Sequence, residues 1–581
     1  MDPEKSLPNN RSMAESRLRM LKRKFASDSK IAEDYTTTVE TYIADGHARL
    51  VSAQESSELN QWFLPHHAVF KRSNPSKCRV VFDCAAQYKG VSLNDVILQG
   101  PNHLNSLAGV LIRFRKEPVA VVGDIKAMFH QCSVTHSDKR YLRFLWWPKG
   151  DTSQPAQVHA MTVHLFGATS SPSVVGFCMR KTADDFESSF SDTAIDTLRR
   201  SFYVDDMLRS VPSVDAAKKL IPEMKSLLDK GGFKLTKFIS SHRDVIDTIS
   251  EDDRAKSLQA LNIEDNVLPQ ESALGLKWNV EGDFFTYTVN LQEKPPTRRG
   301  LFATTASLYD PLGLVAPVVL VPKLIQQELC RQQLDWDDEI SPDIVAEIIK
   351  WKASTHELSS LKIPRSFQVG PSFESDRELH VFSDASEFAY GAAAYLKVTS
   401  ENGVTVSLVI RKSRVAPIKS LSIPRLELTA ALVAAKLAKF IQDECDYNEL
   451  PVFFWSDSMT VLRYLRNVST RFKVFVAHLI QQIQELSDVS AWNYVPTDKN
   501  PADHASRGFH PSNSAKLAIW LNGPSFLQQE TKYTRLFEEP PSKSDELEVR
   551  QSCLMESVVD LHVFIGHFSS LKRLFKAVCW L

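Results

Sequence analysis

Two adjacent carboxylates are the side chains of this sequence best suited to chemistry. Asp205 and Asp206 follow the β-prone run 201–204 and precede another apolar pair, a pattern that predicts a hairpin with paired acids at its tip. Taken alone, such a pair is equally a solvated surface turn. Upstream, Asp124 ends the apolar run 118–123 and a helix-like segment follows it. That pattern predicts a buried strand with a carboxylate at its exit.

Together these acids predict a centre for phosphoryl transfer. Two-metal chemistry needs carboxylates from separate strands to hold two cations about 3.5–4 Å apart, one activating the attacking oxygen and the other stabilising the leaving oxygen. Asp124, Asp205 and Asp206 supply a set of that kind. Carboxylate oxygens also match the hardness of Mg²⁺, which favours magnesium as the metal.

The motifs around these acids resemble reverse transcriptases, in particular the polyproteins of BEL/Pao-type long-terminal-repeat retrotransposons. Six ordered blocks carry the resemblance: Leu64-Pro65-His66-His67-Ala68-Val69, Arg79-Val80-Val81-Phe82-Asp83, Ser92-Leu93-Asn94-Asp95 with Gly100-Pro101, residues 124–131, Phe166-Gly167-Ala168-Thr169-Ser170-Ser171-Pro172, and residues 203–206. The resemblance implies DNA synthesis on an RNA template from a DNA primer and deoxynucleoside triphosphates. It also implies two Mg²⁺ ions, or Mn²⁺, at each active centre.

The same resemblance implies a nucleotide site beside the acids. Phe129, five positions after Asp124, would lie beneath the incoming sugar and exclude a 2′-hydroxyl. Arg79 would hold the triphosphate, since a guanidinium binds phosphate oxygens in bidentate fashion. Lys71 and Arg72 are further candidates for that contact.

Two other residues complete the implied nucleotide site. Phe166 stands where some retroviral enzymes carry glutamine, although long-terminal-repeat elements commonly carry phenylalanine there. Lys237 follows Gly232 and is a candidate general acid for the departure of pyrophosphate, with a solvated surface lysine as the alternative.

A second set of acids lies in the C-terminal part of the sequence. Asp384 and Asp457 end strand-like apolar runs, Glu427 lies in a strong helical pattern, and Asp503 opens the last helix. This order resembles ribonuclease H and implies a two-magnesium centre that activates water against the RNA strand of a hybrid. Each acid alone is more often a helix cap or a solvated turn residue. We interpret His504 as structural, because its spacing differs from that of the mobile histidine in retroviral ribonucleases H.

The strand and helix patterns predict an α+β and α/β multidomain protein. The resemblance implies a right-hand polymerase of fingers, palm and thumb, then a connection and a ribonuclease H-like domain with a mixed sheet. The expected parts are a flexible N-terminal arm at 1–34, fingers and palm at 35–240, thumb and connection at 241–374, the ribonuclease H-like domain at 375–526, and an extension at 527–581 that leads toward an integrase. The resemblance therefore implies a fragment of a longer polyprotein.

Composition limits the other classes of function. With 43% hydrophobic and 24% charged residues among 581, the chain is typical of several globular domains and not of disorder. No apolar run reaches the roughly 18–20 residues of a membrane span, so we expect no membrane partner and an intracellular location, in the cytoplasm, within virus-like particles, or in the nucleus. A net charge of −1 excludes bulk electrostatic attraction to nucleic acid and leaves binding to local basic strips. The eight cysteines show no metal-binding spacing and are read as reduced thiols.

Two other functions remain open from the sequence. One is a catalytically decayed or host-adopted protein that binds primer-template duplexes without extending them, although both acidic sets are complete. The other is a protease, a label that family classifications attach to related elements, but no Asp-Thr-Gly or Asp-Ser-Gly signature occurs in the chain. The oligomeric state and the identity of the template and primer are not predicted.

Overall fold

The computed structural model describes residues 7–56, 60–71, 74–259, 270–367, 376–401, 403–419, 421–467 and 472–529. Most of the expected C-terminal extension, residues 530–581, lies outside these ranges, as does Arg72. Among the described residues, no helix has both the length and the apolar character needed to cross a membrane.

The N-terminal region is folded against the strands that follow it. Its elements are α1 (Arg11–Ser27), α2 (Ser29–Ala44), β1 (Ala48–Leu50), α3 (Ala53–Ser56), β2 (His66–Lys71) and β3 (Asn74–Phe82). Leu18 and Phe25 of α1 are buried, and the Asn10 side chain donates to Phe63 O and accepts from Phe63 N, both at 2.7 Å. The expectation of a flexible arm is therefore wrong for residues 11–34. Ala14, Leu18, Leu21 and Phe25 recur at helical spacing, so they line one apolar face that can be buried.

The palm elements follow in order. They are α4 (Leu107–Phe114), β4 (Val119–Ile125), β5 (Arg143–Trp146), β6 (Gln157–Met161), α5 (Ser171–Asp185), α6 (Asp192–Arg200), β7 (Phe202–Tyr203), β8 (Asp206–Val211), α7 (Val214–Lys230) and β9 (Leu235–Ser240). Four of these strands form the palm sheet, in the order β7-β8-β4-β9. Val119 and Val121 belong to the core of the flanking helices, whereas Ala120 belongs to a second core on the opposite face. Strand β4 is thus buried on both faces, which fixes the position of Asp124 at its end.

A mixed region connects the palm to the C-terminal domain. It contains α8 (Arg243–Ile246), α9 (Lys256–Gln259), β10 (Gln270–Ala273), β11 (Leu276–Asn279), β12 (Phe284–Thr286), α10 (Arg298–Ser307), α11 (Ala316–Arg331), α12 (Pro342–Ser354) and β13 (Ile363–Pro364). Strands β10 to β13 form a sheet in sequence order. Trp278 and Trp351 are fully buried here and share one apolar core with the C-terminal domain. The connecting region and the C-terminal domain therefore pack directly against each other at this core.

The C-terminal domain is built on a five-stranded mixed sheet. Its elements are β14 (Asp376–Ala385), β15 (Ala389–Ser400), β16 (Gly403–Val415), α13 (Ile423–Cys445), β17 (Val452–Ser456), α14 (Met459–Arg466), α15 (Val474–Leu486), β18 (Trp492–Tyr494), α16 (Asp503–Arg507) and α17 (Ser514–Asn522). The strand order is β16-β15-β14-β17-β18. Strand β14 pairs antiparallel with β15 and parallel with β17. The sheet is mixed, as the sequence predicts.

Candidate active sites

The palm sheet brings the first acidic set together. In the antiparallel pair of β4 and β8, Asp124 lies directly opposite Asp206. Val204 adopts a left-handed conformation with φ 57°, which lets the chain turn tightly between β7 and β8 and sets Asp205 at the tip. Asp205 O then accepts a hydrogen bond from Ile125 N at 2.9 Å. Since residues directly opposite one another point to the same face, Asp124 and Asp206 share one face of the sheet edge.

Crowding of these acids changes their protonation. Burial, followed by repulsion from Asp205 and Asp124, raises the pKa of Asp206 to about 6. Burial likewise raises the pKa of Asp205, with a further contribution from Asp124, while Lys237 and Arg79 act in the opposite direction. The negative charges are thus close enough to disfavour one another, which is the condition that a bound cation relieves.

Lys237 lies within this acidic cluster. Its Nζ donates to Asp124 Oδ1 at 2.6 Å, although the lysine itself is 53% exposed. Its backbone has φ 55°, an unusual value for a residue with a side chain, at the point where the register between β4 and β9 shifts. The bulge turns the lysine toward the acid at the end of the neighbouring strand.

Two aromatic side chains of the predicted nucleotide site also meet. The rings of Phe129 and Phe166 lie 6.0 Å apart between centroids in an edge-to-face arrangement. Phe129 is half-buried in a short 3-10 turn at Met128–Gln131 that begins after Ala127, whose φ is 49°. Phe166 is 73% exposed. Both rings thus lie together, with one surface of Phe166 open to solvent.

Of the three basic candidates for the triphosphate contact, the structure describes the side chain of Arg79. Arg79 is exposed on β3, opposite Val69 of β2, and is near enough to lower the pKa of Asp205. Arg72 and the side chain of Lys71 lie outside what the structure describes. Arg79 is therefore the basic residue of that hairpin that the described structure links to the acids.

The C-terminal sheet brings the second acidic set together at the ends of two parallel strands. Asp384 lies near the end of β14, and Asp457 directly follows β17, whose Ser456 pairs with Ser383. Asp503 begins α16. Burial, then repulsion from Asp457 and Asp503, raises the pKa of Asp384 to about 7, and the hydroxyl of Ser506 donates to its carboxylate.

Asp457 is held by neutral donors that the sequence interpretation missed. Thr497 Oγ1 donates to Asp457 Oδ2 at 2.7 Å, and Asn500 Nδ2 lies 3.3 Å from its Oδ1. Asn500 Nδ2 also donates to Ser383 O at 3.0 Å, so it links the ends of β14 and β17. Burial raises the pKa of Asp457 despite these donors. The closeness of Asn500 to Asp503 in the sequence was the signal that could have identified it.

Glu427 joins the second set through a serine. Ser458, the N-cap of α14, donates from Oγ to Glu427 Oε2 at 2.5 Å and adjoins Asp457. His504 instead packs edge-to-face on Phe509 with 5.2 Å between ring centroids, and burial lowers its pKa. That environment agrees with a structural role for the histidine.

The donor chemistry of both sets suits a hard cation, but the side chains are not arranged around one. Within the described ranges, no group of three or more His, Cys, Asp or Glu side chains is arranged to hold a metal ion. Competing contacts account for this: Asp124 is paired with Lys237, and Asp503 Oδ1 accepts from Arg507 Nε at 2.6 Å. The ligand atoms are carboxylate oxygens, the type that Mg²⁺ prefers, so the chemistry of the donors suits magnesium.

Comparison with known proteins defines the class of fold. A foamy viral protease-reverse transcriptase dRH, in complex with double-stranded DNA, matches with a TM-score of 0.52 at 14% identity and covers 81% of this chain and 70% of that chain. A foamy viral protease-reverse transcriptase in complex with double-stranded DNA gives a TM-score of 0.50 at 15% identity, over 81% and 84% of the two chains. The chain therefore has the multidomain fold of a reverse transcriptase, which confirms the predicted fold class.

One sequence family places part of the chain more narrowly. Residues 297–458 match the family described as "Pao retrotransposon-like RNaseH-like domain", which agrees with the resemblance to Pao-type elements. The matched stretch runs from α10 to just after β17 and includes Asp384, Glu427 and Asp457. A search of the curated proteins gave no match.

Proposed function

We propose that this protein is an RNA-directed DNA polymerase with ribonuclease H activity, working in the manner of a BEL/Pao-type retrotransposon polymerase. The observation that carries the proposal is the meeting of Asp124, Asp205 and Asp206 at one edge of the palm sheet. Burial of these acids and the repulsion between them, which together raise the pKa of Asp206 to about 6, are a cost that a structural role alone does not explain. Perturbed acids of this kind concentrate at functional sites.

At the palm centre, Asp124, Asp205 and Asp206 would hold Mg²⁺. When bound, the metal pair supplies activation of a primer 3′-hydroxyl and stabilisation of the departing pyrophosphate oxygen. The protein's own residues bind and orient the nucleotide: Arg79 pairs with triphosphate oxygens, and the Phe129 ring occupies the space that a 2′-hydroxyl would need. Lys237 orients Asp124 and carries the proton that a departing pyrophosphate would take.

At the C-terminal centre, four acids would hold Mg²⁺ for hydrolysis of RNA in an RNA–DNA hybrid: Asp384, Glu427, Asp457 and Asp503. Thr497, Asn500 and Ser506 fix the orientation of the carboxylates through the hydrogen bonds described above. Hybrid binding would rest on backbone shape and 2′-hydroxyl contacts and not on base sequence. The expected partners are an RNA template, a DNA primer and deoxynucleoside triphosphates, met inside the cell.

The test is magnesium-dependent extension of a DNA primer on an RNA template by the full chain. Asp205→Asn should lose extension, because it removes a ligand charge while keeping the side-chain shape. Asp229→Asn is the matched control, since Asp229 is an exposed acid on α7. Tight primer-template binding without extension by the unaltered protein would favour the non-enzymatic alternative and exclude the polymerase.

A further inference from the structure

The helix α13 contacts the C-terminal acidic centre near its start and the palm at its end. Near its start, Glu427 is linked through Ser458 to the C-terminal centre. At its end, residues 443–446 contact the palm. From Glu427 to Glu444 the helix advances about 26 Å, at 1.5 Å per residue. A single helix thus runs from the C-terminal acidic centre to the part of the palm that contacts residues 443–446.

Three palm cations cap the end of this helix. Arg200 donates to Asp443 O at 3.1 Å and Glu444 O at 2.8 Å, and Lys116 Nζ donates to Cys445 O at 3.0 Å. Arg113 donates to the Glu444 carboxylate. The last carbonyls of a helix lack partners within the helix and carry partial negative charge, so these cations satisfy and stabilise the helix end.

An ion pair between Asp446 and Arg200 also joins the end of α13 to the palm. Asp446, the C-cap of α13, adopts a left-handed conformation with φ 58°. Its carboxylate accepts two bonds from Arg200 Nη1, at 2.8 and 2.6 Å. The absence of a side chain at Gly109 of α4 leaves the space that the Glu444 carboxylate fills. The two surfaces therefore fit by shape as well as by charge.

Two of these cations lie at the ends of helices that directly precede the strands bearing the palm acids. Arg113 lies at the end of α4, which leads into β4 and Asp124. Arg200 is the last residue of α6, which leads into the β7–β8 hairpin and Asp205. Arg113 also donates to Arg200 O, so the ends of the two helices are joined beneath the palm sheet.

We propose that α13 is a strut that fixes the distance between the two centres, and that Arg113, Lys116 and Arg200 are positioning residues that hold its palm end. The proposal rests on the proposed function, because its consequence is that RNA is cut at a fixed distance behind the growing primer end. Buried contacts near the same interface support the rigid arrangement: Arg115 donates from Nη1 to Leu408 O at 2.8 Å and Arg411 Nε donates to Gly313 O at 3.2 Å.

The experiment measures where RNA is cut when synthesis is stalled at one position by withholding a nucleotide. The unaltered protein should give a narrow set of cuts at one distance from the primer end. Arg200→Glu should widen and shift that set, while the total rates of synthesis and cleavage stay near those of the unaltered protein. The charge swap Arg200→Glu with Asp446→Arg should narrow the set relative to Arg200→Glu alone, because the ion pair is reformed in reverse while the bonds to the helix carbonyls stay lost.

Arg199→Glu is the matched control. The substitution makes the same charge change on the same helix as Arg200→Glu. The partners of Arg199, however, are Asp184 and Glu187 within the palm. Cuts that stay equally narrow in Arg200→Glu, or that widen equally in Arg199→Glu, would overturn the proposal.

A second measurement does not depend on activity. Dyes placed at the exposed positions 219 on α7 and 478 on α15 report the distance between the palm and the C-terminal domain by single-molecule energy transfer. We expect one narrow distance distribution in the unaltered protein, the broadest one in Arg200→Glu, and one of intermediate width in the swap. An unchanged distribution in Arg200→Glu overturns the strut. If neither synthesis nor cleavage occurs but the distance distributions change as expected, the proposed function is rejected and the strut is still supported.

Discussion

The palm centre and the C-terminal centre hold clustered acids by different means. In the palm, the acids lie on antiparallel strands, and a partly exposed cation, Lys237, pairs with Asp124. In the C-terminal domain, Asp384 lies near the end of β14 and Asp457 follows the parallel strand β17. Both accept bonds from neutral side chains, Ser506 and Thr497, and among these acids the cation Arg507 pairs with Asp503. A cation offsets charge directly, whereas hydroxyl and amide groups offset it only in part.

The difference is visible in the protonation of the most perturbed acid of each set. The pKa of Asp206 is raised to about 6, and that of Asp384 to about 7. In both cases burial is the first cause and neighbouring acids add to it. Asp384 is buried whereas Asp206 is half-buried, so we expect the C-terminal acid to respond more strongly when its charge is removed.

The largest expected effect separates the two centres outright. Asp457→Asn should lower hybrid cleavage by at least about 100-fold, because the metal contribution is several kcal/mol and each 1.4 kcal/mol is a factor of ten. Primer extension by the same protein should stay near its unaltered rate. Loss of both reactions would show that the two sets do not act as separate centres.

The next effect concerns the choice of nucleotide, which only the palm centre should make. Phe129→Ala should raise incorporation of ribonucleotides relative to deoxynucleotides by roughly 10–200-fold, the range that pocket shape alone provides. Competition between the two nucleotide types in primer extension measures the ratio. Phe177→Ala, an exposed aromatic on α5, is the control and should leave the ratio unchanged.

Removing Lys237 should leave Asp124 without its cation partner. Lys237→Ala should lower primer extension by roughly 10–100-fold, the usual cost of losing a group that orients a metal ligand. Because Lys237 lowers the pKa of Asp205 and Asp206, the acidic limb of the rate profile should move to higher pH. Lys234→Ala, an exposed lysine just before β9, should do neither. An unmoved acidic limb would contradict the electrostatic role of Lys237.

The smallest effect is on stability and follows from the raised pKa of Asp384. The pKa of about 7 in the folded protein lies above the value of about 3.9 expected when unfolded. The folded chain therefore binds more protons than the unfolded chain between roughly pH 4 and pH 7. Stability from this group is present at low pH and is lost as the pH rises through that window.

Asp384→Asn removes the charge and keeps the shape, so it should raise the Tm at pH 8 in the presence of a chelator. An increase of several degrees is expected, since about 1 kcal/mol shifts Tm by roughly 2–4 °C in a domain of 150–250 residues. At pH 4 the Tm should change little. Asp206→Asn should give a smaller increase at pH 8, and a larger one would reverse the comparison between the centres.

Local sequence patterns were enough to locate most of the acids of both sets. Asp124, Asp205, Asp384 and Asp457 each stand at the end of an apolar run, and strand ends are set by local alternation and burial patterns. The mixed sheet of the C-terminal domain and the right-hand fold followed from the order of those runs and from the resemblance of the motifs. The N-terminal helix was the exception, since the apolar spacing of α1 was present but its burial depended on partners such as Phe63.

Only the tertiary structure decided which residues complete the sites and how they are held. The pairing of Lys237 with Asp124 needs a bulge in β9, the meeting of Phe129 with Phe166 joins separate segments, and Asn500 bridges two strands. The contact of Arg113 with Glu444 joins residues 331 positions apart. Such contacts leave no local pattern, because they arise from the packing of whole elements, and packing depends on shapes that distant parts of the chain supply.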